Sequence, residues 1–333
     1  MYDYSKPLLK FYKDEVSIEQ PVRDMLRDQK NRTEERLKAG LTKLGKPKAS
    51  RFQVQGGYAM KTVVQHPKDD YDIDDGVIFT ADNLKTSQGN PLSALDARKM
   101  VLDALDDGKK PAPELHTHCV RIPYAAGHHI DMPVYRETES FLGTISHEIA
   151  GADWRKSDPK GVTEWFDRKV EQKSPDSSND RQMRRIVAYI KALGKTRDSW
   201  NAPTGFMITK LVDECYVADA RDDVALIKTL RSMEVRLKLS LVIDHPVVDE
   251  KLTKGNEDSR CVFFRDKLPT LLGFVDVLDD QDCSEADAAG AWDSLFRTSY
   301  FTEKLSETAK AFSTLTSAGS AAQVIRGGDK RYG

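Results

Sequence analysis

Three aspartates and a pair of glycines carry the chemistry that is legible in this sequence. Asp72 and Asp74 flank Ile73 at the head of an apolar run, Gly76-Val77-Ile78-Phe79. In a strand, residues i and i+2 share a face, so the two carboxylates project together, roughly 7 Å apart along the backbone. Adjacent carboxylates repel and call for a cation. Hard oxygen ligands with positions left open to phosphate suit Mg²⁺, with Mn²⁺ as its substitute. Upstream, Gly56-Gly57 directly follows the alternating segment Arg51-Phe52-Gln53-Val54-Gln55. A Gly-Gly turn there lets backbone N–H groups approach a phosphate closely. Asp131 is a lone carboxylate in the apolar segment His128–Tyr135. Taken alone it reads as a paired or solvated strand residue; beside Asp72 and Asp74 it reads as a third ligand.

The surrounding elements must bring these residues together. A chain of 333 residues has room for about two domains. With 51 Lys+Arg against 53 Asp+Glu the formal charge is −2, which argues against a surface that coats long nucleic acid but not against a local basic pocket. A hydrophobic content of 39% with 31% charged residues fits a soluble, helix-rich protein. No apolar stretch is long enough for a membrane span. The start, Met1-Tyr2-Asp3-Tyr4-Ser5-Lys6, lacks a signal-peptide pattern, so a cytoplasmic location is expected. Cys119, Cys215, Cys261 and Cys283 are scattered without a Cys-x-x-Cys and read as reduced thiols.

Apolar spacing predicts a short lead-in over 1–16, then a helix, whole or broken, over 17–44. Strands follow at 51–55 and 71–80, with a polar loop at 65–69 between them. A helix is predicted from Ser93 to Asp107, stopped by Gly108, and a hairpin from strands 116–123 and 128–135 turning at Ala125-Ala126-Gly127. Beyond about 155 helices dominate, over 161–171, 178–194, 203–217, 221–237, 260–279, 284–296 and 303–315. The Gly-, Ser- and Ala-rich end from Thr316 reads as a mobile tail.

The order strand, Gly56-Gly57, helix, Asp72-Ile73-Asp74, then Ile130-Asp131-Met132 resembles the polymerase-β-type nucleotidyltransferases. In that chemistry a sugar hydroxyl attacks an α-phosphate, and carboxylate-held metal ions stabilise the attacking and leaving oxygens; the third carboxylate can also take the proton. The resemblance extends to the bacterial cyclic-oligonucleotide synthases, the CD-NTases related to animal cyclic GMP-AMP synthase. It is carried by Gln55-Gly56-Gly57-Tyr58, Tyr71–Val77, Trp154–Pro159 with Trp165, Arg184–Ala192, Pro203–Thr209, Arg221–Leu226 and His245-Pro246-Val247.

That resemblance implies an α+β fold: a polymerase-β-like core with a mixed sheet over 51–155, crossed by an N-terminal helical segment (1–50) that bridges the lobes. A helical domain over 156–315 closes the nucleotide cleft, and 316–333 forms the tail. It implies that Gln55, Gly56, Gly57 and Tyr58 lie at the nucleotide, that Asp72, Asp74 and Asp131 hold the metals, and that Lys191 and Thr204 reach the triphosphate from the helical side. Where this chain has Gly57 the family often has serine. The implied activity joins ATP and/or GTP into a cyclic di- or trinucleotide, a second messenger that switches on a nucleotide-activated effector in antiphage defence. Neither a membrane nor a long nucleic acid is an expected partner. Some relatives stand beside ubiquitin-transfer-like enzymes, so Gly333 is a candidate conjugation point for such a regulator. Two competing readings stay open: a non-cyclising transferase of the oligoadenylate-synthase or poly(A) type, and a catalytically dead nucleotide-binding scaffold.

Lesser features have plainer explanations beside them. His129 shares the strand face of Asp131 and is either a neighbour of the site or a satisfied strand histidine. His116-x-His118 has a metal-like spacing without a further ligand nearby. Arg181, Arg184, Arg185, Lys191 and Lys195 crowd one helix as a solvated face or as the wall of an anion-binding cleft. Tyr58 stacks on a base or packs.

Overall fold

The computed structural model describes residues 1–65, 71–125, 127–178, 180–197 and 199–311. The loop at 66–69, the tail from Thr316 and the Gly333 conjugation point lie outside the described residues.

The chain starts with α1 (Ser5–Phe11) and a π-turn (Tyr12–Val16), then the long α2 (Gln20–Lys43). A short lead-in was expected over 1–16; instead Leu8, Phe11, Tyr12 and Val16 are buried. The reason is tertiary. The Tyr4 backbone N–H donates to Asp223 Oδ2 at 2.8 Å, and the Tyr189 hydroxyl donates to the Leu8 carbonyl at 3.0 Å. A segment too short to be stable alone is helical because it packs and is pinned by distant side chains.

Next come β1 (Arg51–Gln55), the single-turn α3 (Gly56–Ala59), β2 (Asp72–Thr80), α4 (Ala94–Leu105), β3 (Glu114–Leu115), β4 (Val120–Pro123), β5 (His129–Met132), β6 (Val134–Glu139), β7 (Ile145–Ala150) and β8 (Trp154–Lys156). All eight join one mixed sheet. β2 runs antiparallel to β1 and parallel to β5 and β6. One register continues through both parallel pairings: Asp72 faces His129, Asp74 faces Asp131 and Val77 faces Val134. β5 and β6 are thus one line of backbone interrupted at Pro133, which has no N–H to give to the ladder; its carbonyl still accepts from Val77 N at 2.9 Å. β7 and β8 extend the sheet beyond the expected strands. Ion pairs mark this edge, Arg136 with Glu148 at 2.6 Å and His147 with Glu137 at 2.9 Å, so it lacks a plain apolar alternation.

The remaining helices are α5 (Pro159–Lys173), α6 (Gln182–Lys195), α7 (Gly205–Cys215), α8 (Asp222–Leu239), α9 (Ser259–Gly273) and α10 (Glu285–Phe296), with a last helix over 300–311. Two apolar cores form among the described residues. One joins the inner sheet face to α2 and α4 through Leu37, Leu41, Ile73, Val77, Phe79 and Val101. The other joins α5–α10 to α1 through Leu8, Tyr189, Leu211, Leu230 and Trp292. Among the described residues no helix is long and apolar enough to cross a membrane.

Candidate active site

β2 is the spine of the site. On its β1 side Asp74 faces Gln55, and on its β5 side it faces Asp131. Across the β4–β5 hairpin Asp131 faces Arg121. One row across four strands therefore reads Gln55, Asp74, Asp131, Arg121. Directly opposed strand residues share a sheet face, and the two-residue period puts Asp72 and His129 on that face as well.

The row is strongly polar and largely paired. Arg121 grips Asp131 with two parallel bonds, Nε to Oδ1 and Nη2 to Oδ2, both 2.8 Å. This fork geometry is the strongest form of carboxylate recognition by a side chain. His129 Nε2 pairs with Asp72 Oδ1, and that bond raises the His129 pKa. Burial works against the charge of Asp72, but the His129 bond and the nearby Arg121 charge hold its pKa below the usual carboxylate value. Asp74 differs. Burial first, then the charges of Asp131 and Asp72, push it up to about 6, the mark of a carboxylate that wants a cation. Ligand atoms of Asp72, His129 and Asp131 all lie within 4.8 Å of one another. Two carboxylates at that separation, with a third on the same row, fit a divalent ion such as Mg²⁺ or Mn²⁺.

Gly56 adjoins Asp74 so closely that a Cβ there would sit 2.1 Å from Asp74 Oδ2, and its φ is +65°. A side chain there would be strained and would have to push Asp74 aside. Gly57 is different: a Cβ would meet Val63 Cγ2 at 3.5 Å, Thr62 Oγ1 at 3.8 Å and Lys191 Nζ at 3.9 Å, all ordinary contacts. Nothing in the packing forbids the serine that the family often has there.

A cavity of about 610 Å³ opens in front of Asp72 and Asp74; Asp131, held by Arg121, is not among its lining residues. Gln55, Gly56, Gly57, Asp72 and Asp74 line it on the sheet side; Lys191, Lys195, Gly205 and Phe206 line it on the helical side. Lys191 Nζ donates to Thr62 Oγ1 at 2.7 Å and to the Thr62 carbonyl at 3.2 Å. Burial, and secondarily the charge of Lys195, push its ammonium down to about 7. Thr204 is exposed and its hydroxyl caps α7 by accepting from Met207 N at 3.3 Å. Its neighbours Pro203 and Gly205 line the cavity, and Thr204 itself does not. Tyr58 points elsewhere, lining a separate cavity with Tyr12, Arg23 and Lys61 and packing against the sheet core.

The cations of α6 divide. Lys191 and Lys195 reach the cavity. Arg184 pairs with Asp167 at 2.6 Å, and Arg185 is buried on Asp222 and Asp176. One shared cationic face was an expectation that fails, because positions 185 and 191 lie about 120° apart at about 100° per residue. Arg121 is the site residue that sequence reading missed. The signal was present: a hairpin turning at 125–127 places 121 across from 131. His245 and Phe206, at the aromatic end of the cavity, were signalled only by the His245-Pro246 and Pro203–Thr209 matches; Phe264 and Trp200 had no local signal.

A mixed sheet that carries Gly-Gly, Asp-x-Asp and a third aspartate on the adjoining parallel strand, with a helical lobe opposite, is the architecture of the polymerase-β-type nucleotidyltransferases. The sequence narrows this. Residues 50–135 match the family model described as "Cyclic GMP-AMP synthase DncV-like, nucleotidyltransferase domain". That match, over 50–135, supports a CD-NTase identification for this domain, and the matched family is one of enzymes. Solved structures share the fold over nearly their whole length. The Vibrio cholerae DncV cyclic AMP-GMP synthase aligns with a TM-score of 0.69 and 14% identity, covering 90% of this chain and 97% of that one. The Bradyrhizobium diazoefficiens CD-NTase CdnG in complex with GTP gives 0.68 and 15%, covering 92% and 98%. CdnC of E. coli MS115-1 with ATP gives 0.65 and 13%, covering 89% and 98%.

Proposed function

We propose that this enzyme joins ATP and/or GTP through a linear intermediate and closes it into a cyclic di- or trinucleotide that signals to a nucleotide-activated effector in antiphage defence. The observation that carries the reading is the single row of Asp74 and Asp131, with Asp72 beside it, together with the cavity across which Asp72 and Asp74 face Lys191. The relatives support it. CdnG is seen with GTP, and Vibrio cholerae DncV with the linear intermediate 5′-pppA(3′,5′)pG.

In this reading Asp72, Asp74 and Asp131 would hold Mg²⁺, which supplies charge neutralisation at the reacting phosphate. Backbone N–H groups at Gly56 and Gly57 bind phosphate oxygens, because those positions carry no side chain to keep the phosphate away. Gln55 is oriented by the Tyr135 hydroxyl, which donates to its Oε1 at 3.0 Å, and this leaves its amide to bond outward. Lys191 neutralises the triphosphate from the helical side. Asp131 accepts the proton of the attacking hydroxyl. Closing the lobes excludes water, which would otherwise compete with the hydroxyl.

The test is the product. Purified protein is incubated with four NTPs and Mg²⁺, treated with phosphatase, and its nucleotides are resolved by chromatography and mass spectrometry. Phosphatase-resistant cyclic compounds are expected, and Asp72→Asn with Asp74→Asn should lower the yield by about 1,000-fold or more. A ladder of linear oligonucleotides or a labelled macromolecule would point to the non-cyclising transferases. Unchanged products from the double variant would remove the catalytic assignment.

A further inference from the structure

Two of the three site carboxylates are already paired with the chain's own side chains. His129 occupies Asp72, and Arg121 occupies both oxygens of Asp131. The Arg121–Asp131 pair is built into the sheet. The two residues face each other in the β4–β5 ladder, and their side chains are 32% and 13% exposed. The guanidinium is thus drawn out of bulk water and its charge is only partly screened. It also reaches further along the row, since Arg121 favours the charged forms of Asp72 and Asp74.

A divalent ion that binds Asp131 must therefore displace a fork-shaped cation from the same oxygens or bind beside it. Either route weakens the site for a bare ion. Both become easier if an anion arrives together with the ion and accepts the released guanidinium, which suits phosphate oxygens as well as it suits carboxylates.

We propose that Arg121 is a positioning residue that stands in for the metal on Asp131, so that the site takes up a divalent ion together with nucleotide phosphate rather than ahead of it. This rests on the nucleotidyltransferase reading above and adds an order of loading and a residue to it. On loading, Arg121 leaves at least one Asp131 oxygen and turns its donors to a phosphate.

The experiment is a Mn²⁺ titration followed by electron paramagnetic resonance, with and without a non-hydrolysable ATP analogue, on wild type, Arg121→Gln and Arg121→Lys. Folding is checked by circular dichroism. Without nucleotide, wild type should bind Mn²⁺ weakly. Arg121→Gln should bind it about tenfold more tightly, the scale of removing one partly screened unit charge. Arg121→Lys, which keeps the charge but loses the fork, should fall between. The gain in Mn²⁺ affinity on adding the analogue should be large in wild type and reduced severalfold in Arg121→Gln. Equal nucleotide-free affinities, within twofold, for folded wild type and Arg121→Gln would overturn the inference. In that case Mn²⁺ uptake with the analogue, lost in Asp72→Asn with Asp74→Asn, would leave the nucleotidyltransferase reading standing. No Mn²⁺ uptake by any variant even with the analogue would overturn both.

Discussion

Arg185 and Lys191 lie six residues apart on α6, both withdrawn from bulk solvent, and they are provided for in opposite ways. Arg185 is saturated. Its Nε and Nη2 hold Asp222 at 2.6 and 2.8 Å, and its Nη1 reaches Asp176 at 2.9 Å and the Asp180 carbonyl at 3.0 Å. Burial opposes its charge, but the Asp222 and Asp176 bonds raise its pKa all the same. Burial alone would leave Asp176 hard to ionise; bonds from Ser178, Gln182 N and Arg185 hold it down at about 2. Lys191 has neutral oxygens of Thr62 and the like charge of Lys195 nearby. A buried cation ringed by carboxylates ties elements together, here α6 to the start of α8. A half-buried cation beside a cavity, bonded among the described residues to neutral oxygens, is held ready for an anion.

The sharpest way to break this comparison is Arg185→Ala. It should cost about 3–5 kcal/mol, because it strands the buried Asp222, and the loss is read in the denaturant midpoint with an unchanged slope. If stability holds, the pair is not the tie described. Lys191→Met should do the reverse. Stability stays level or rises, since no carboxylate loses its partner, while affinity for nucleoside triphosphate falls by about 10- to 100-fold, the scale of charge-assisted phosphate bonds. Calorimetry separates the two effects; equal affinity would take Lys191 out of the phosphate site.

A pH series sharpens the same point. The folded pKa of Lys191 lies below its unfolded value near 10.5, so the folded state binds fewer protons between about 7 and about 10. Its contribution to the stability of the free protein is fully present above the unfolded pKa and is lost as pH falls through about 7. A bound triphosphate reverses the preference by favouring the ammonium. Binding at pH 8 should then take up a proton, visible as a dependence of calorimetric heat on buffer ionisation enthalpy, and Lys191→Met should lose that uptake. The smallest change expected is Gly57→Ser. The new Cβ meets only ordinary contacts, so stability should be near wild type and nucleotide affinity within about threefold. A large loss would show that the backbone approach at Gly57 has no room to spare.

Much of this was legible in the residues before any fold was known. Asp72 and Asp74 share a face because strand side chains alternate, and that rule is local. Gly56 was legible as a turn of close approach, though not that its neighbour would be Asp74 Oδ2. The hairpin of β4 and β5 and most of the helices followed from period and turn chemistry, and the mixed sheet from the family resemblance. The edge strands β7 and β8 did not, because charged cross-strand pairs hide an apolar rhythm. Nor did α1, whose stability comes from Asp223 and Tyr189, far along the chain.

The sequence by itself determined the chemical inventory: two glycines at a turn, two carboxylates two residues apart, a third in a later strand, and cations on one helix. Tertiary structure alone decided the partners. Asp131 belongs to Arg121 because β4 lies against β5. Arg185 is a tie and Lys191 a ligand-ready charge because α8 covers one side of α6 and the cavity opens on the other. Thr204 caps a helix and Tyr58 faces a different cavity, although both sit in matching motifs. The physical reason is common to all of these. Alternation and turn formation depend on neighbours in sequence, whereas the worth of a charge depends on what is packed against it, and packing is a property of the whole fold.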